Sequence, residues 1–226
     1  IFTKLSYHYS PSWRIELTTM NELSQSQFYE HIYKYKPGGR AVSNTESGFY
    51  AVNFMQMVSP VISHALNLSS LSSWSGKYLY EDPLDTRYIN NRYLSYAGGF
   101  ISGGQDRIHE EQWLKNKAIK WNLSWQSTNN HAFKTGVEYI QHSIENNPVA
   151  LVYQDENDPD LFSFPYDSLN GQFVFGNVEM EYLPDSLKTK DDYKKYPVEF
   201  SAFLQDKMEF DLMTINAGLR FDYFDP

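Results

Sequence analysis

The chain of 226 residues has no cysteine, which rules out a disulfide scaffold, a cysteine-based zinc site and a thiol nucleophile. It has no run of 18 apolar residues, so it holds no transmembrane helix. Basic residues are scarce: 19 lysines and arginines face 28 aspartates and glutamates, and a net charge of −9 argues against a general nucleic-acid binder. Helical periodicity is almost absent. The chain opens on Ile1 with no basic and apolar leader, so no signal peptide is expected within it. What it has instead is aromatic side chains. With 18 Tyr, 15 Phe and 5 Trp they make up 17% of the residues, roughly double the ordinary share. That density argues against disorder. Yet mean hydropathy is −0.56, and an aromatic-rich chain that is polar on average needs a cause.

The cause lies in steps of two. Ile119, Trp121, Leu123 and Trp125 fall on one face of an extended segment, and Lys120, Asn122, Ser124 and Gln126 on the other. Near the end of the chain Met213, Ile215, Ala217, Leu219, Phe221 and Tyr223 oppose Thr214, Asn216, Gly218, Arg220 and Asp222. Around 198–210 the alternation is less strict: Phe200, Ala202, Leu204, Met208 and Phe210 oppose Glu199, Ser201, Gln205, Lys207 and Glu209, and Asp206 breaks the pattern. Alternation of this kind predicts eight strands at about 2–9, 13–25, 48–58, 63–75, 117–127, 132–145, 198–210 and 213–223, with a bulge at Ser70/Leu71. The connections differ in length. Ser10–Ser12, Ser59–Ile62, Thr128–Asn130 and Asp211–Leu212 are short, whereas 26–47, 76–116 and 146–196 are long.

Loops of that size are unusual in a compact domain. They are normal in a transmembrane β-barrel, with short periplasmic turns, long extracellular loops, aromatic girdles and a lipid face alternating with a polar lumen face. The expected fold is therefore all-β: an antiparallel transmembrane β-barrel wall of about eight long strands, with residues 1–226 forming part of one barrel domain. Ile119, Trp121, Leu123, Trp125, Ile215, Leu219 and Phe221 are expected to face lipid. Lys120, Asn122, Gln126, Asn216 and Arg220 are expected to face the lumen. The first strand runs into a short turn and the last leaves one, which places Ile1 and Pro226 both at the extracellular end. A complete bacterial barrel keeps its termini periplasmic, so the expectation is a set of neighbouring strands from a larger wall. Two alternatives are a small eight-stranded passive or structural barrel and a soluble β-sandwich binding module.

Particular segments carry a family resemblance. The stretch from Phe200 through AFLQDKMEF, a tight turn and INAGLRFDYFDP to Pro226 resembles the barrel region of TonB-dependent outer-membrane receptors, most closely the large Bacteroidetes-like type. HAFKTGVEY at 131–139 is similar to another of their barrel hairpins, and YLYEDPLDTRY at 78–88 and YKYKPGG at 33–39 look like their loop segments. The resemblance implies an energised importer in the bacterial outer membrane, with a barrel of about 22 strands, an N-terminal plug and a TonB-contacting box. Neither plug nor box is found in these residues. It also implies three partners: outer-membrane lipid, TonB, and an imported small ligand of the siderophore, vitamin, glycan or peptide class.

Chemistry-bearing motifs are sparse. The histidines, His8, His31, His64, His109, His131 and His142, include no HExxH pair, and no GxSxG or phosphate-cradling glycine loop occurs. No enzyme activity, cofactor or nucleic-acid partner is expected. The loop 153–196 carries ten carboxylates against four lysines. Asp155, Asp158 and Asp160 are either oxygen ligands for calcium or part of a solvated acidic loop, and their spacing is not that of an EF-hand. The aromatic residues of the long loops are the candidates for ligand contact, above all Tyr88, Tyr93, Phe100, Phe162, Phe164 and Tyr166; alternatively they pack loops on one another or form the girdle. The Asn-x-Ser sequons at Asn67 and Asn122 fall on expected strands and are read as accidental.

Overall fold

A computed structural model describes residues 1–85, 87–88, 96–97, 99–102, 104–149, 151–153, 166–167, 172–173, 180–182 and 192–226. Eight long strands run antiparallel in one open sheet. They are β1 (Phe2–Ser10), β2 (Trp13–Ser26), β3 (Val42–Ser59), β4 (Ile62–Tyr78), β7 (Glu110–Gln126), β8 (His131–Pro148), β14 (Val198–Phe210) and β15 (Met213–Asp225). Each long strand pairs with the next in the chain, and β1 and β15 form the two edges. The loops carry short strands: β5 (Tyr96–Ala97) pairs with β6 (Phe100–Ile101), β9 (Leu151–Tyr153) with β12 (Met180–Tyr182), and β10 (Tyr166–Asp167) with β11 (Gln172–Phe173). A further piece, β13 (Tyr193–Lys195), pairs with β8 just beyond β14, from which Pro197 separates it. Proline has no N–H to give to a ladder.

The cross-strand register carries the two-faced pattern across the whole sheet. One row runs Leu5, Leu17, Val52, Leu68, Ile119, Tyr139, Phe200 and Tyr223. Two residues along lies a second, Tyr7, Ile15, Phe54, Leu66, Trp121, Val137, Ala202 and Phe221. All sixteen positions are aliphatic or aromatic. Between them, on the opposite face, runs Ser6, Glu16, Asn53, Asn67, Lys120, Glu138, Ser201 and Asp222, and every one of these is polar. A slip of one residue would exchange these rows, so each strand's pattern fixes its register.

Glycines and Pro197 aside, the buried residues among those described are Ala41, Ala51, Tyr88, Ile101 and His109, and all but Ala51 lie in or beside the long loops. The wall itself encloses no core. Its large side chains stand out from the sheet, with Leu219 82% and Ile119 52% exposed.

The strands outrun the sequence expectation at the long-loop end. β3 begins at Val42 rather than 48, β7 at Glu110 rather than 117, and β8 continues to Pro148. In this collar the contrast between the faces fades: the row Asn21, Gly48, Ser72, Lys115 and Ser143 continues the apolar face with no large apolar side chain, and the next mixes Leu23, Trp74 and Trp113 with Glu46 and Glu145. The bulge expected at Ser70/Leu71 is absent. Ser70 pairs with Tyr50 and Leu71 with Phe49 in continuous register, because Leu71 simply lies on the polar face against another apolar side chain. Register shifts occur instead at His8/Ser10 and Met57/Ser59, each beside a short turn, where a bulge helps strands to twist into the reversal.

Candidate functional site

Two regions hold chemistry: the polar face of the wall and the cap formed by the long loops. On the polar face charges sit beside opposite charges. Lys120 Nζ lies 3.3 Å from Glu138 Oε2. Arg220 reaches Asp222 at 2.7 Å. Glu16 lies 3.5 Å from Lys4 and 3.6 Å from Arg14. His142 bridges Asn116 at 2.9 Å and Glu199 at 3.1 Å. The face is thus a lattice of short-range pairs.

The apolar face also contains polar side chains, and they hydrogen-bond to each other. His64 Nε2 donates to Gln56 Oε1 at 3.0 Å. His131 Nδ1 donates to Asp206 Oδ2 at 2.7 Å, and its ring stacks on Phe133. Both pairs lie toward the short turns, among Trp13, Trp125 and Phe133. Trp13 meets Phe54 edge-on at 5.2 Å, and Trp125 meets Phe133 at 5.8 Å.

At the other end the connection 27–41 and the segment 79–109 interlock. The first makes two 3-10 turns, His31–Tyr33 and Pro37–Gly39. Asp106 N donates to Gly39 O at 2.6 Å, and Asp106 Oδ2 accepts from Ala41 N. The chains are so close that a Cβ at position 39 would lie 3.2 Å from Gly104 O. Phe100 sits edge-on between His31 and Tyr35, 5.1 Å from each, with Lys34 Nζ 5.6 Å above its ring. Arg40 pairs with Glu30 at 3.0 Å and covers the ring of Tyr33. His109 is buried against Tyr78, stacked at 5.1 Å, and donates from Nε2 to Glu81 O at 3.0 Å.

Tyr88 is the centre of the second loop. Only 5% of it is exposed. Its hydroxyl accepts from Tyr80 N at 3.0 Å, and its ring meets Tyr80 edge-on at 4.8 Å. Burial pushes its phenol above the usual range. Arg87 stacks over the Tyr80 ring at 4.0 Å and grips Asp85 with two side-chain nitrogens at 2.9 and 2.6 Å. Those bonds, with one from the Arg87 backbone, bring the Asp85 carboxyl down to about 2.

Register brings the sequence-predicted residues together as two sets. Ile119, Trp121, Leu123, Trp125, Ile215, Leu219 and Phe221 share the apolar face. Lys120, Asn122, Gln126, Asn216 and Arg220 share the polar face, where Asn122 and Arg220 belong to one row and Gln126 and Asn216 to another. Of the loop aromatics, Tyr88 lies inside its loop and Phe100 between the two connections. Tyr166 pairs with Phe173 in a two-residue ladder. Tyr93, Phe162, Phe164, Asp155, Asp158 and Asp160 lie outside the described residues. Among the described residues no three His, Asp or Glu side chains converge as a metal site requires. Sequence reasoning missed the pairs that cross strands, His131 with Asp206, Gln56 with His64 and Lys120 with Glu138, since each depends on register. The only hint was Asp206, which interrupts an apolar alternation.

No family model matches the chain, and neither does any curated protein. Among solved structures it is similar to the outer membrane transporter YddB from Escherichia coli, with a TM-score of 0.59 at 14% identity. The match covers 98% of this chain and 26% of the transporter, so the chain spans about a quarter of that protein's length. At such identity the likeness is one of fold, and together with the two-faced antiparallel sheet it makes this chain a transmembrane β-barrel wall.

Proposed function

We propose that these residues form part of the barrel of a TonB-dependent receptor in the bacterial outer membrane, which imports a small solute. The observation that carries this reading is the interleaving of one fully polar row, from Ser6 to Asp222, between two fully apolar rows on the opposite face. A soluble sandwich would cover its apolar face with a second sheet, whereas here Ile119 and Leu219 stand clear. On β15 the apolar positions run from Met213 to Tyr223. That is roughly 34 Å of strand, which at a tilt of about 40° spans about 25 Å, the height of an outer-membrane apolar band. The apolar face meets lipid, the polar face lines an aqueous lumen, and the interlocked loops stand outside the cell, where they meet the solute. The segment resemblances at 200–226 and 131–139 support the TonB-dependent class.

Single cysteines test the facing. In the complete gene product in lipid vesicles, Asn122→Cys is expected to react with a membrane-impermeant thiol reagent, and Leu123→Cys only with a lipid-soluble one. Equal reactivity at the two positions overturns the assignment. Capture of the purified periplasmic domain of TonB by the complete protein tests the energised class; a failure to bind in the presence of periplasmic extract from cells fed the solute would leave a passive barrel.

A further inference from the structure

The apolar face of the wall is not level. Thr135 is the short side chain of its row, with Leu123 on one side and Leu204 on the other. Trp125 and Phe133 stand next to it on the side of the short turns. Together the five residues line a groove of about 180 Å³ in which nothing polar is exposed. The Thr135 hydroxyl is already used, donating to Phe203 O at 2.7 Å. A groove of this kind suits a flexible hydrocarbon chain, and a face that meets a membrane is offered one.

A charge lies at its mouth. Asp206 follows Leu204 by two residues on the same face and pairs in register with Phe133. Among the described residues its carboxylate is bonded to His131 alone, through Oδ2, and Oδ1 is enclosed without a partner. That leaves Oδ2 as the oxygen an outside cation can meet. From Leu123, Thr135, Leu204 and Leu219 to the short turns, the apolar face of β7, β8, β14 and β15 holds no Lys or Arg. Lys207, on the other face, is taken by Glu209, and Asp211 stands exposed at the turn. Even with His131 charged, Asp206 and Asp211 leave this rim negative. A carboxylate beside a low-dielectric medium is costly without a counter-charge.

We propose that the groove seats one phospholipid with a primary-ammonium headgroup, its acyl chain over Thr135 and its ammonium donating to Asp206. That ammonium has three N–H groups to give. A quaternary ammonium has none, and an anionic headgroup would meet two carboxylates. The site rests on the reading of the apolar face as lipid-facing. It lies outside the barrel and is indifferent to what fills the lumen.

Dioleoyl phosphatidylethanolamine is the probe, set against phosphatidylcholine and phosphatidylglycerol with the same chains. Native mass spectrometry of the complete gene product, stripped of lipid in detergent, counts the molecules retained. At one site the ethanolamine lipid should be preferred to each of the others by roughly tenfold, the size of one charge-assisted hydrogen bond. Asp206→Asn, which can still accept from His131, should lose that preference. Thr135→Leu, which fills the groove, should lose the bound lipid. Glu46→Gln, on the same face at the loop end, should change neither. Equal retention of the three lipids by the unaltered protein overturns the proposal without any variant having to fold. So does an undiminished preference in Asp206→Asn, or a loss in Glu46→Gln as large as that in Asp206→Asn. A dimer in the same spectra that Thr135→Leu abolishes would assign the groove to a second copy instead. Leu219→Cys in vesicles separates the site from the reading it rests on. If it reacts only with a lipid-soluble thiol reagent while no ethanolamine lipid is retained, the face is right and the site is wrong; if a membrane-impermeant reagent reaches it, both fall.

Discussion

The phenyl ring of Phe203 lies across the backbone of Gly136, its direct cross-strand partner, with a ring carbon 2.7 Å from where a Cβ of residue 136 would stand. This explains an aromatic side chain between Ser201 and Gln205 on the polar side of β14: it covers backbone that glycine leaves bare. Asn122 Oδ1 at 2.5 Å and Trp121 O at 2.9 Å close the remaining space. Gly136→Ala should therefore cost about 1–3 kcal/mol by overpacking. Adding Phe203→Leu should restore only part of it, since the Trp121 carbonyl cannot withdraw. Urea unfolding in lipid vesicles measures both variants.

Facing predicts opposite outcomes for neighbouring residues. Leu123→Arg puts a guanidinium on the apolar face and should cost about 2–4 kcal/mol of insertion near the midplane. Asn122→Arg adds the same side chain to the polar face and should fold nearly as the parent does. Folding yield into vesicles distinguishes them, and equal yields would refute the assignment of faces.

His131 and Asp206 should behave as a unit. Either alone changed to Leu leaves its partner without a hydrogen bond on an apolar surface, at about 1–3 kcal/mol. Changing both to Leu removes the need for the bond and should recover most of that loss. A double-mutant cycle on unfolding free energy reads the coupling; additive effects would show that the 2.7 Å contact contributes nothing.

In the loop cap, pH acts through Asp85. Its carboxyl sits well below the ordinary 3.8, at about 2, because Arg87 hydrogen-bonds to it. A folded value below the unfolded one stabilises the loop above the unfolded value, and that support is lost as pH falls through about 2. Arg87→Gln should let the carboxyl titrate near its ordinary value, which an NMR titration of the Asp85 carboxyl carbon would detect.

The strands were legible where one face meets an apolar medium. Between Ile119 and Trp125 each step of two alternates sharply, and the expected strand agrees with the observed one. Above Ile119 the outer positions are Lys117, Lys115, Trp113 and Glu111, and the alternation fades although the ladder goes on unbroken to Glu110. Hydrophobic period reports a boundary between solvents, while backbone pairing has no need of one. For the same reason Ser43, Asn44 and Thr45 read as loop yet pair with β4 residue by residue.

The candidate sites were less legible. Tyr88 stood out in the sequence as one aromatic residue among many in a long loop, and nothing local marks it as the buried one. Its burial depends on Tyr80, which lies eight residues away across a turn built on Asp82 and Asp85. Nothing in the sequence singles out Arg14. Its incomplete pairing emerges only when Lys4, from the neighbouring strand, is seen to compete for Glu16.

The mixed collar means that a single strand passes between two surroundings. On β7 the amides near Ile119 and Trp121 lie at the level of the apolar band, while those near Lys115 lie in a row whose other members, Asn21, Gly48, Ser72 and Ser143, carry no large apolar side chain. Local opening of the collar therefore exposes little apolar surface, whereas opening lower down would place unpaired amides in lipid. Hydrogen exchange should consequently be graded along each long strand, fast at the loop end and nearly arrested at the band. The loops are thus mounted on a rim that can loosen and re-form while the membrane-spanning ladder beneath it stays closed.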